Sequence, residues 1–385
     1  MRKKINLIIL SMLLCVLFAG CGSSVEYEPS DIPEEELEGK YYYNLTSDEE
    51  ERVIYKQLLH GIREHKETII VQTVGMIRTP EILDRVTLDF SDLIWFEGKC
   101  EYTEYEKGLF SPAYMKFEMD YTYSKEEAEQ MLLEIEDAAS KVLPILEEKE
   151  SDYAKVKYAY EWIINNVDYV DDAPHNQNIY STFVTNETVC AGYARGMQYL
   201  LENAGVECFY VTGEAVDSEG VMDEHAWNIV KINDNNYIVD ATWGDPVFES
   251  EEETERDNLR PISYEYLCCD DSEIEDTHTL KSMLLQPVCD SDDLQYYKKN
   301  GMFYTSYDKS DILDAMYESI RDGKEYTVFQ FEDKESYDKA FKAIKNDLIE
   351  TAAYYMIDYY SLPEVWTGYE TYSNSIKIIV YIYEK

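Results

Sequence analysis

The stretch Val189-Cys190-Ala191-Gly192-Tyr193-Ala194 is followed by Asp223-Glu224-His225-Ala226-Trp227-Asn228 and then Val239-Asp240-Ala241-Thr242-Trp243-Gly244-Asp245-Pro246. It sets a cysteine, a histidine and an aspartate in order, each inside its own structural signal. Cys190 opens an amphipathic run that ends at Ala204-Gly205, where a glycine suits a left-handed helix stop. A thiol in the first turn of a helix feels the positive end of its dipole, which favours thiolate. The runs His225–Ile232 and Asn236–Trp243 flank the turn-rich Asn233-Asp234-Asn235 and read as a hairpin.

Spacing constrains that hairpin. A four-residue loop at Ile232–Asn235 pairs Lys231 with Asn236 and sets Trp227 opposite Asp240. His225 is then one diagonal step from Asp240 on the same face. Diagonal neighbours lie about 7–8 Å apart at Cα, within reach of aromatic side chains. A tighter turn at Asp234-Asn235 keeps the face but separates the pair unless a bulge intervenes.

These segments resemble the catalytic core of the transglutaminase-like superfamily, papain-like Cys-His-Asp enzymes. They are most similar to bacterial members with Cys-x-Gly-Tyr-Ala, His-Ala-Trp-Asn and Asp-x-Thr-Trp. The resemblance spans Ser151 to Pro246 and extends more weakly to Cys289. It implies an α+β fold, with a helix bearing Cys190 packed on an antiparallel sheet bearing His225 and Asp240. It also implies Cys190 as nucleophile, His225 as base and acid, and Asp240 as the group that orients the imidazole. The chemistry agrees: a thiolate attacks an acyl carbon, histidine holds and returns the proton, and a carboxylate fixes the tautomer. An asparagine in place of Asp240 is expected still to hold the ring. No cofactor and no metal are implied.

One departure bears on the oxyanion. Animal transglutaminases and papain-like proteases carry Gln shortly before or next to the nucleophile, whereas Val189 precedes Cys190 here. The second donor beside the Cys190 backbone N–H then comes from elsewhere. Asn176-Gln177-Asn178-Ile179-Tyr180 resembles a segment before the cysteine in the bacterial relatives, which makes Gln177 and Tyr180 candidate donors. Trp227 is a candidate for positioning the substrate. The resemblance implies a cysteine acyltransferase that forms a thioester on Gln carboxamide or peptide carbonyl groups of proteins or peptides. The alternatives are a cysteine protease or amidase of the same fold, and a non-catalytic cell-surface binding module.

Arg2, Lys3 and Lys4 precede the apolar run Ile5–Phe18, which has the layout of a secretory signal. Its end, Leu17-Phe18-Ala19-Gly20-Cys21, resembles a bacterial lipoprotein signal. Residues 1–20 are therefore expected to be a signal peptide and Cys21 a lipid-attachment site, with a solvated tether at 21–45. This implies an extracytoplasmic protein anchored by its lipid to the bacterial cell membrane. The net charge of −45, from 79 acidic against 34 basic residues, argues against nucleic-acid partners and leaves cationic peptides or amines. A protein or peptide substrate, with an amine acceptor if the reaction is transamidation, fits that balance. Asp245 and Glu249–Glu253 would form an acidic rim that attracts a protonated amine.

Eight cysteines show no Cys-x-x-Cys pair and no readable disulfide framework. Around the core, residues 46–150 and 296–385 read as α+β accessory domains, and 151–295 as the transglutaminase-like core. Thr46-Ser47-Asp48-Glu49, Ser124-Lys125-Glu126-Glu127 and Ser151 mark helix starts, and Pro144 ends a helix near Val142. Tyr114–Tyr123, Tyr326–Phe331 and Ile376–Tyr383 read as strands, and Tyr337–Ile344 as a helix. His278, in the downstream extension, could be a second titrating group but reads rather as a packed or surface histidine.

Overall fold

The computed structural model describes residues 25–46, 48–108, 112–216, 220–245, 261–280, 286–372 and 375–385. The signal-like segment, Cys21, Ser47 and Glu249–Glu253 lie outside the described residues. The chain divides into two compact units, one running to Tyr266 and including Asp271–Asp290, the other Leu267–Asp270 with Ser291–Lys385. Among the described residues no helix is long and apolar enough to cross a membrane.

Local signals set the helices of the first unit. Ser124 caps Lys125–Ala139 with a full capping box to Glu127, and Ser151 caps Asp152–Asn166 through the Ala154 N–H. Pro144 falls in the first turn of the short helix Leu143–Glu147, where its missing N–H costs nothing. The helix expected to begin at Thr46 starts instead at Glu49, because Asp48 supplies the cap to Glu50 N–H. The strands Thr68–Gln72, Tyr114–Met119 and Cys100–Tyr105 form an antiparallel sheet in that order. On the central one, Met115 and Phe117 are buried, as alternation requires.

This region is tied to the helix Cys190–Asn203 by buried polar contacts. Lys40 Nζ reaches Glu202 Oε2 at 2.6 Å and the Asp89 carbonyl at 2.8 Å. Gln198 donates to the Leu88 carbonyl at 3.1 Å and Arg195 to the Thr87 carbonyl at 3.1 Å. Asp89 itself is buried and accepts from Tyr42 N, Tyr43 N and the Tyr55 hydroxyl. Burial raises the Asp89 carboxyl to about 6, against the pull of those donors. The same cause raises Glu202 to about 7.

The second sheet carries His225 and His278. Within the first unit its strands run His278–Leu280, Cys208–Val216, Met222–Ile232 and Asn235–Val239, all neighbours antiparallel. Lys231 pairs with Asn236 as the spacing predicts, but through a tighter turn, since Ile232 and Asn235 also pair. Only Asn233 and Asp234 remain in the loop. Asn233 adopts φ 57°, a left-handed conformation that asparagine tolerates. The second strand stops at Val239. Asp240 does not continue it: it caps the short helix Ala241–Gly244.

The helix Cys190–Asn203 lies against this sheet, with Asn228 Nδ2 donating to the Ala194 carbonyl at 2.9 Å. Gly205 takes φ 77° after its end. Just upstream, Asp168–Tyr169 pairs in parallel with Glu187–Thr188, fixing the approach to Cys190. Glycine is needed at 192, where a Cβ would lie 2.0 Å from Thr188 Oγ1.

The second unit has a sheet in the order Phe303–Tyr304, Tyr326–Phe331, Lys377–Glu384, Val365–Tyr372. The helices Lys309–Arg321, Lys334–Ala343 and Ile349–Tyr360 cover a core that includes Ile312, Met316, Phe329, Ile378 and Val380.

Candidate active site

Cys190 is the first residue of its helix and is half-buried, whereas His225 and Asp240 are buried. The hairpin brings His225 Nε2 to 2.7 Å from Asp240 Oδ2. That bond leaves Nδ1 as the free ring nitrogen, and the Cys190 side chain lies near enough to His225 to favour its protonated form. Trp227 stacks on His225 at 5.9 Å, and Trp243 lies 5.9 Å away on a tilt. The carboxylate is fully occupied: Oδ1 accepts from Thr242 N at 2.9 Å and Trp243 N at 3.1 Å.

These contacts set the charges. Burial lowers the affinity of His225 for a proton, but the Asp240 charge, its hydrogen bond and the Cys190 contact together raise the imidazole to about 10. Burial would raise Asp240, yet the attraction and hydrogen bond of His225, with a further bond from His278, hold the carboxyl well below its usual range. The stable arrangement is an imidazolium against a carboxylate.

His278, read from the sequence as a packed or surface histidine, is packed. It is buried, and its Nε2 lies 3.1 Å from the same Asp240 Oδ2. His225, Asp240 and His278 offer ligand atoms within 4.8 Å of one another, so the fit to a metal deserves a test. Ligand atoms around a tetrahedral zinc at about 2.0 Å sit roughly 3.3 Å apart and carry no proton toward it. Here both Nε2 atoms point directly at one carboxylate oxygen, which requires a proton on each. The trio fits a hydrogen-bonded cluster rather than a metal cage.

The expected oxyanion candidates have polar partners of their own. Gln177 is exposed and donates to Asn176 Oδ1, while the Tyr180 hydroxyl donates to Glu134 Oε2 at 2.7 Å. Tyr169 is nearer, because its strand pairs with the residues just before Cys190. Asp245, expected on an open acidic rim, instead lies 2.7 Å from the Tyr193 hydroxyl. All six described cysteines are free thiols.

The family model for the transglutaminase-like superfamily matches residues 140–241, so the chain carries a transglutaminase-like domain. Over 118 residues it is 29% identical to the kyphoscoliosis peptidase of Mus musculus, covering 27% of this chain and 17% of that protein. The Homo sapiens protein of the same name is 29% identical over 119 residues, with the same coverage. The chain thus spans 17% of the length of the curated relatives it matches. Among solved structures, a TGase overlaps 51% of this chain and 56% of its own at 13% identity and a TM-score of 0.28. The periplasmic domain of TgpA from Pseudomonas aeruginosa overlaps 35% and 56% at 18% identity and a TM-score of 0.25.

Proposed function

We propose that this protein is a cysteine hydrolase, a peptidase or amidase, that works through Cys190, His225 and Asp240. The observation that carries the reading is the buried His225–Asp240 hydrogen bond of 2.7 Å, with Cys190 near enough to favour the protonated imidazole. A half-exposed cysteine at a helix start, next to a buried imidazolium, is the setting in which a thiolate is nucleophilic.

In the first half-reaction Cys190 Sγ bonds to the carbonyl carbon and the carbonyl π electrons move to oxygen. The Cys190 backbone N–H donates to that oxyanion. His225 Nδ1 gives its proton to the leaving amine as the C–N bond breaks, leaving a thioester. Water then attacks the thioester, His225 takes its proton, and the carboxylic acid departs as the thiolate re-forms. Asp240 keeps the Nε2 proton toward itself throughout, so Nδ1 is the nitrogen that exchanges protons with substrate.

One observation favours water over an amine as acceptor. The described part of the anticipated acidic rim, Asp245, is engaged with Tyr193 and is not an open amine site. The curated relatives, named as peptidases, are in keeping with this choice. Transamidation through the same thioester is the second reading, and it differs only in the acceptor. The test incubates the protein with a Gln-containing peptide and a primary amine and weighs the products. A gain of water or a cut backbone, abolished in Cys190→Ala, is expected. Amine adducts would shift the assignment to transferase, and turnover by Cys190→Ala would end the proposal.

A further inference from the structure

One ionisable side chain enters the site from outside the segment that matches the family. His278 begins the strand His278–Leu280, which pairs with Cys208–Val216 on the side opposite the His225 strand. Its ring nonetheless crosses to Asp240. The crossing depends on Gly213, which separates His225 from Leu280 in the register: a Cβ there would lie 2.4 Å from Trp227 Cη2 and 2.4 Å from the Thr279 carbonyl. With no side chain at 213, the indole of Trp227 lies across the strand and meets the His278 ring edge-on at 5.0 Å. Trp243 packs on the same ring at 4.7 Å and Tyr266 at 6.0 Å.

Both nitrogens of His278 are engaged. Nε2 is 3.1 Å from Asp240 Oδ2, and Nδ1 is 2.9 Å from Thr277 Oγ1, which also reaches the Ile274 carbonyl at 3.2 Å. Asp240 therefore holds four partners, two backbone N–H groups on Oδ1 and two imidazoles on Oδ2. The ionisable groups that face this cluster are Cys190 from the helix, His225 from its strand and Tyr266 from the segment before residue 267.

We propose that His278 is a positioning residue for the cysteine chemistry: it locks the Asp240 carboxylate in the orientation that holds His225. The inference rests on the catalytic reading of Cys190, His225 and Asp240. With His278 in place, every lone pair that Asp240 can offer in its buried site is spoken for, so the carboxylate has no rotation that keeps its partners. Oδ2 can face two imidazoles only if each presents Nε2–H, which leaves His225 Nδ1 toward Cys190. Without His278, Oδ2 keeps one donor, the buried anion is less compensated, and the hold on the His225 ring slackens.

The experiment measures the rate of Cys190 carbamidomethylation by iodoacetamide against pH, read by mass spectrometry of the Cys190 peptide, in the full chain. His278→Phe keeps a ring against Trp227 and Trp243 but has no donor. His278→Gln places an amide N–H near the position of Nε2. Expected are a roughly tenfold slower reaction at neutral pH in His278→Phe, with its acid limb moved to higher pH, and recovery to within about threefold in His278→Gln. An unchanged profile in His278→Phe, with a collapse in His225→Ala, overturns the positioning role alone. An unchanged profile in His225→Ala overturns the catalytic reading beneath it. If His278→Phe does not fold, the unmutated protein labelled with [15N]histidine decides: two imidazole Nε2–H groups shielded from exchange support the role, and one refutes it.

Discussion

Asp240→Asn separates what the carboxylate does from the space it fills. The structure makes this change more severe than the sequence suggests. The two oxygens of Asp240 face four donors, namely Thr242 N, Trp243 N, His225 Nε2 and His278 Nε2. An amide has one acceptor and one donor end. With its oxygen toward the backbone, its NH2 faces both imidazoles, and His225 must shift its proton to Nδ1, where it can no longer take one. With its oxygen toward the imidazoles, the NH2 opposes two buried backbone N–H groups. Hydrogen bonds to a charged partner are worth about 1.5–3 kcal/mol each, so inverting two costs roughly 3–6 kcal/mol in either orientation. Since about 1.4 kcal/mol is tenfold, turnover should fall by about 10²–10⁴-fold, in line with wrong-tautomer losses of about 10⁴ in Ser-His-Asp enzymes. The His225 imidazole, now at about 10, should return to or below its ordinary range. Histidine NMR titration and peptide turnover, measured on the same samples, check both halves. A variant with wild-type turnover, or with His225 still protonated at pH 8, would refute the reasoning.

Stability should also report the His225–Asp240 pair. The folded pKa of His225 is raised above its unfolded value of 6.5, so its contribution is complete below pH 6.5 and is lost as pH rises through about 10. Between pH 7 and 10 the unfolding midpoint should therefore drop more steeply in the unmutated protein than in His225→Gln; parallel curves by circular dichroism would contradict this. The lipid anchor inferred from the sequence is checked by metabolic labelling with a fatty-acid analogue, where label should vanish in Cys21→Ala, and its persistence would remove the anchor.

The parts of the fold legible in the sequence are those whose cause is local. Ser124 and Glu127 satisfy each other's backbone donors within four residues, and Cys190 and Gly205 bracket a helix by their own conformational preferences. The Lys231–Asn236 pairing was legible from the hairpin spacing, but the turn was not, because one left-handed asparagine shortens the loop without altering the register. Asp240 read as a strand residue since its neighbours are β-formers, yet its side chain caps a helix and so ends the strand. The link from His278 to Asp240 was not legible, for a different reason. His278 meets Asp240 from 38 residues away, on a strand two positions from the His225 strand in the sheet, and no spacing rule spans that distance. Nor does spacing show that Glu134 of a distant helix accepts from the Tyr180 hydroxyl.

The ties between Lys40, Thr87, Leu88, Asp89 and the Cys190 helix bear on how this domain can be inherited. Residues 140–241 carry the recognisable motifs, but the outer face of their central helix is written in another part of the chain. Moved alone into a new protein, that segment would present Arg195, Gln198 and Glu202 to whatever lay beside it. A recombination that kept the motifs would therefore still need a neighbour able to answer those three side chains. The unit that can be shuffled is larger than the unit that can be recognised.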